Sequence, residues 1–301
     1  MFGVKAISRW QFGLLRVLLG LYLIVHFGQL LPYGAELFSE VGTVGDPSLS
    51  PLFGILPSPF WISDSPAMAT GLIGLACLAS LSFCLGIYRK WSAALLAYLW
   101  AVLFCRNPLI ANPSMAYVSL MLVLSLLVPC HEALRVGRAD AKRWYFPAGV
   151  YATAWLLLAL GYTFSGLIKL QSPSWVDGSA IIHLAENPLA RPGFLRETLL
   201  SMPDGILHFL TWSSLAGEIL FLPLSFCKKG RLLVWTLMLG MHLGILLVVD
   251  FIDLTAAMVL IHLFVFDPDW LPARGKNRLR ILFFDGECGL SNKSKYHAPN
   301  I

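Results

Sequence analysis

The chain has 301 residues, of which 57% are hydrophobic and 13% charged, with a net charge of +5 and a mean hydropathy of +0.71. Such an apolar share lies outside the range of water-soluble domains, which excludes a soluble enzyme and leaves no need for a nucleic-acid partner. The six cysteines are scattered without paired spacing, so no disulfide framework is expected.

Runs of roughly 17 to 25 apolar residues predict about eight membrane spans, near 11–32, 67–87, 91–105, 115–130, 147–170, 206–226, 231–249 and 251–266. The third, fourth and eighth are short. No alternating pattern of the barrel type interrupts them, so each span satisfies its own backbone as a helix, and the fold class is an all-α polytopic transmembrane bundle. The basic stretch before Trp10 leads into a first helix that reads as retained, with no small-residue cleavage site behind it.

Between spans one and two, residues 32–66 hold no lysine or arginine, and their prolines and glycines predict irregular structure with short helical pieces. The connection "HEALRVGRADAKRWYF" is basic and splits the spans into two groups of four. A second long connection, 171–205, contains Leu195, Leu199 and Met202 at helical spacing, as expected of a helix on the membrane surface. These two long connections would roof any site.

Sorting charges by side places Lys5, Arg9, Arg89, Lys90, Arg135, Arg138, Lys142, Arg143, Lys228, Lys229, Arg231 and the tail's cations together, whereas only Arg106, Arg191 and Arg196 fall opposite. The positive-inside rule then puts the N-terminus and the tail inside. A multi-pass protein of a cell's inner membrane with a cytoplasmic C-terminus is expected, with membrane lipids as its first partners.

Polar residues within spans are costly to desolvate and therefore informative. They are Arg16, His26, Lys169, His208, Glu218, His242 and His262. Lys169, at the outer end of the fifth span, could snorkel to headgroups, or act as a base or anion holder if desolvated. His242 stands between Gly240 and Gly244, which would permit close helix approach. Glu218 needs a partner, for which Arg16 and His242 are candidates. Asp250 and Asp253 read as solvated turn charges, Asn112 as part of a rigid turn in "RNPLIANP" facing the side of Lys169, and Trp175 as an interfacial anchor. No metal-ligand spacing is present.

Four stretches, "SGLIKLQSPSWVDG", "NPLIANPSMAYV", "AGEILFLPLSF" and "MHLGILLVVDFIDLTAAMVLIHLFVFDPDWL", together resemble the membrane domain shared by vitamin K-dependent gamma-carboxylase and the bacterial HTTM family, over residues 1–270. Lys169-Leu170 followed by Trp175 is similar to the carboxylase's lysine-leucine pair shortly before a tryptophan, which implies a base that deprotonates a quinol. The resemblance implies a cavity open to the outside that binds or oxidises a quinol-like or lipid ligand, with a reduced, vitamin K-like quinone as the cofactor it points to. Lys169 and His242 are the catalytic candidates, and Asn112, Trp175, Glu218 and His208 the ligand-binding ones. Asn112 precedes proline here, where the carboxylase has histidine. The alternative of another class is a non-enzymatic membrane partner that handles or protects against a secreted peptide or lipid.

The tail, 271–301, carries "FFDGECGLS", which resembles the opening of the DCC-type thiol-disulfide oxidoreductases. Cys288 matches the first cysteine of their motif and Ser291 replaces the second. A hydroxyl cannot resolve a mixed disulfide, so the implied role for Cys288, membrane-tethered thiol redox transfer, lacks its resolving thiol.

Overall fold

The computed structural model describes residues 7–50, 53–137 and 144–271. The tail reading and Cys288 lie outside them. Among the described residues the fold is helical, without strands beyond one isolated bridge between Ala190 and Val249.

The first group comprises α1 (Arg9–Leu30), the short α2 (Gly34–Phe38), α3 (Pro66–Leu85), α4 (Arg89–Arg106) and α5 (Met115–Leu127). The second comprises α6 (Ala148–Lys169), the short α7 (Pro173–Val176), α8 (Ala180–Glu186) and α9 (Phe194–Leu200), then α10 (Asp204–Ile219), α11 (Phe221–Ser225), α12 (Lys228–Val248) and α13 (Ile252–Phe264). Among the described residues four helices are long and apolar enough to cross a membrane, beginning at Arg9, Pro66, Ala148 and Lys228, while Met115–Leu127 and Ile252–Phe264 are apolar but shorter. Each of these long helices is largely apolar, yet only part of its surface is buried. On α1, Phe12, Leu15, Leu19, Leu23 and Phe27 face the core while Leu14, Leu21 and Val25 are exposed, as expected where the second solvent is hydrocarbon.

Within this unit α1 lies along α3, α3 on α4 and α4 on α5. In the second group α6 packs on α10 and α11, and α12 on α13, which returns to α1 and α5 and joins the groups. Gly20 lets α1 meet α3 closely, since a Cβ there would stand 2.6 Å from the Cα of Cys84.

Two buried arginines anchor one end. Arg16 donates to the carbonyls of Phe83 (2.8 Å), Cys84 and Leu134 (2.6 Å), and Arg89 to those of Ser125 and Val128 (2.6 Å). These carbonyls belong to the last turns of α3 and α5 and the connection beyond, so the guanidiniums cap helix ends, sharing the carbonyls of Phe83 and Ser125 with the amides of Gly86 and Val128. Both arginines pair with Glu132, Arg16 at 3.3 Å and Arg89 at 3.1 Å. Arg16 therefore serves this end, and is not the partner of Glu218.

At the other end, α4 closes on Arg106, which is 3% exposed, forks onto Asp64 at 2.9 Å twice, and donates to the carbonyl of Val44. This contact ties the connection of residues 32–66 to the bundle, and that connection does contain short helical turns, as its sequence suggests. Asp253 corrects its reading as a solvated turn charge: it accepts from Tyr22 (2.8 Å) and Asn112 (3.1 Å) and pairs with His26 (2.6 Å). Asn112 thus links the start of α5 to α13 and α1. Asp250 is exposed, with Arg191 3.4 Å away.

The candidate cavity beside Lys169

Glu218 meets Lys169 because α6 and α10 touch almost backbone to backbone at Gly166. A Cβ there would lie 2.9 Å from the amide nitrogen of Ile219 and 3.0 Å from Cβ of Glu218. Just beyond, the helix breaks at Leu220, since Pro223 has no N–H and its ring would clash with the carbonyl of Ile219 four residues back. Thr163 repairs the break. Its hydroxyl is 3.2 Å from the carbonyls of both Glu218 and Ile219 and accepts the amide of Leu222 at 3.1 Å.

Lys169 Nζ donates to Glu218 Oε1 at 2.6 Å, and Ser165 donates to Oε2 at 3.1 Å. The carboxylate side chain is 3% exposed and the lysine 25%. Lys169 also sits over the ring of Trp175, 4.2 Å from its centroid, a placement worth about 0.5–2 kcal/mol. The lysine turns inward instead of snorkelling, and Trp175 covers it.

Lys169, Glu218, Ser165 and Trp175 line a cavity of about 850 Å³ between α5, α6, α8 and α12, together with Tyr117, Tyr162 and His242. His242 is 5% exposed. Its Nε2 lies 2.8 Å from the hydroxyl of Tyr162, which is 3.3 Å from Nε2 of His262, whose Nδ1 is 2.7 Å from the carbonyl of Met258. His242 is thus not the partner of Glu218 either; it belongs to a separate chain of polar groups on the same cavity.

A second cavity of about 650 Å³, strongly apolar, adjoins the first, and Trp175, Ile181, Leu184, Met241 and Ile245 line both. Leu195, Leu199 and Met202 of α9 and its continuation roof it, so the apolar stripe of this short helix faces a cavity. Gly240 and Gly244 line it too, with nothing within 4 Å of where their Cβ atoms would be. They make room for the cavity and do not bring helices together. Above α8, Asp177 accepts from the hydroxyl (2.7 Å) and amide (2.8 Å) of Ser179, and these hydrogen bonds hold its carboxyl below the ordinary range.

Of the site residues suggested by sequence, Lys169, Glu218, Trp175 and His242 come together on one cavity. His208 does not line it: its ring lies 5.7 Å from that of Trp212, beside the turn at Gly178. Asn112 is spent on Asp253, while its neighbour Pro113 reaches the cavity wall. Tyr117, Tyr162 and Ser165 were not signalled by sequence, because a tyrosine or serine inside a span costs too little to attract notice. Among the described residues no group of three or more His, Cys, Asp or Glu side chains is placed to hold a metal ion. Comparison with family models, curated proteins and solved structures finds no match to this chain.

Proposed function

We propose that the chain is a multi-pass protein of a cell's inner membrane, with about eight spans and its N-terminus and tail inside, whose cavity holds a quinol-like or lipid amphiphile. One observation carries the reading: a largely apolar cavity with a polar corner, where Lys169, Ser165 and Glu218 meet, shares a wall with a second apolar cavity, matching a polar head joined to a hydrocarbon tail. The similarity of Lys169-Leu170 and Trp175 to the carboxylase motif supports a quinol as the head.

The chemistry available to Lys169 follows from its partner. Passing one proton from Lys169 to Glu218, across 2.6 Å, converts the ion pair into an amine beside a carboxylic acid. That amine can take the proton of a quinol hydroxyl, leaving an ammonium beside the quinolate.

Removing Lys169 alone would strand a buried carboxylate, at a cost of about 3–5 kcal/mol, so the informative variant is Lys169→Gln with Glu218→Gln. Full-length protein in nanodiscs is titrated with a decyl-substituted benzohydroquinone. The parent is expected to bind it, and the double variant to bind roughly tenfold weaker or worse while its thermal midpoint stays close to the parent's. Equal affinity in both proteins, or no binding by the parent, overturns the reading.

A further inference from the structure

His242, Tyr162 and His262 form a chain whose proton positions can be deduced by accounting for each polar atom. His262 Nδ1 faces the carbonyl of Met258 at 2.7 Å and must carry a hydrogen to donate there. In the neutral ring its Nε2 is then bare, and can only accept. Tyr162, 3.3 Å away, supplies the donor. Its single hydrogen spent, the phenol oxygen can only accept from His242 Nε2 at 2.8 Å, so that nitrogen carries the hydrogen. The opposite arrangement, with Tyr162 donating to His242, would set two bare acceptors against each other at His262 and leave a buried N–H of His242 unpaired.

The assignment leaves one atom unpaired. His242 Nδ1 is a bare acceptor, buried and without a partner, on a side chain that lines the cavity of Lys169. A buried acceptor whose hydrogen bond is unmade weighs on stability until a donor is supplied. We infer that the ligand donates a hydroxyl hydrogen to His242 Nδ1, and that Tyr162 and His262 are positioning residues which fix His242 in the Nε2–H tautomer. The inference rests on the reading of the cavity as an amphiphile site and narrows it: the polar head must be a donor, as a quinol or alcohol is, and a quinone or ester is not.

The relay and the ligand preference are measured separately. Full-length protein labelled with ¹⁵N-histidine in nanodiscs, with His242 identified by the signal lost in His242→Gln, should show a bare Nδ1 and a protonated Nε2. In Tyr162→Phe, which keeps the ring stacked on Phe221 at 4.7 Å, the His242 signal should shift toward a mixture of tautomers. A parent ring protonated at Nδ1, or a ring signal unmoved by Tyr162→Phe, overturns the relay. For the ligand, the decyl-substituted benzohydroquinone is compared with the corresponding benzoquinone, which has the same heavy atoms and only acceptors. The parent should prefer the quinol by about tenfold, the scale of one hydrogen bond made in a buried site, and Tyr162→Phe should lose most of that preference. Equal affinity for the two probes overturns the donor requirement. Failure of both to bind removes the quinol reading of the cavity, while the ring signal still decides the relay.

Discussion

Lys169 and Glu132 illustrate two uses of a buried charge. Lys169 and Glu218 form a pair with one partner a quarter exposed, at the mouth of a cavity, where a ligand can compete for it. Glu132 is 2% exposed and holds two arginines that are themselves occupied with helix-terminal carbonyls. The first arrangement can exchange a partner; the second cannot without uncovering several polar groups at once. Glu132→Ala should therefore cost on the order of 3–5 kcal/mol, measured as a fall in the denaturation midpoint in detergent. Its effect on binding at the cavity should be small, because α6 first reaches the cavity at Gly161, about 20 Å along the helix from its start at Ala148. Parent-like stability would mean the arginines are neutralised by something other than Glu132.

At the scale of elements, the decisive feature is the interrupted helix formed by α10 and α11. An unbroken helix from Asp204 to Ser225 would use its own carbonyls at Glu218 and Ile219. Pro223 prevents this, and Thr163 of α6 takes over. The break thereby locks α10 to α6 beside Ser165 and within about two turns of Lys169, and fixes the carboxylate against the lysine. Thr163→Val keeps the shape and removes the hydroxyl; it should destabilise by about 1–3 kcal/mol. It should also weaken quinol binding by loosening Glu218, whereas Thr163→Ser should restore both. Loss of neither property in Thr163→Val, by thermal unfolding and titration, would show that the break needs no cross-helix partner. The proline was visible in the sequence, but its repair was not, since Thr163 and Leu222 are 59 residues apart and no local pattern links them.

For the whole molecule, the arginine-rich end and the cavity end sit at opposite termini of the same helices, and this polarity sets the proposed orientation. Cys130 and Cys227 are exposed and unpaired, and both adjoin the basic connections. In a variant retaining only these two cysteines, a membrane-impermeant thiol reagent should label inverted vesicles and spare intact cells. Labelling of intact cells would reverse the orientation and put the cavity inside.

The sequence by itself determined that the chain is helical and fit for a membrane, and that Lys169, Glu218 and His242 are costly residues requiring an explanation. Hydropathy and desolvation are properties of single residues and short windows, so they can be read without knowing what lies opposite. Who pairs with whom was decided by tertiary structure alone. Glu218 meets Lys169 rather than Arg16 or His242 because Gly166 admits α10 at that height. Asp253 is tied to Tyr22, His26 and Asn112 rather than solvated because α13 returns against α1 and α5. Gly240 and Gly244, whose spacing suggests helix contact, border an apolar cavity. Each outcome depends on which helix faces which, and helix pairing over such sequence distances is set by the summed packing of the bundle, not by any one stretch of it.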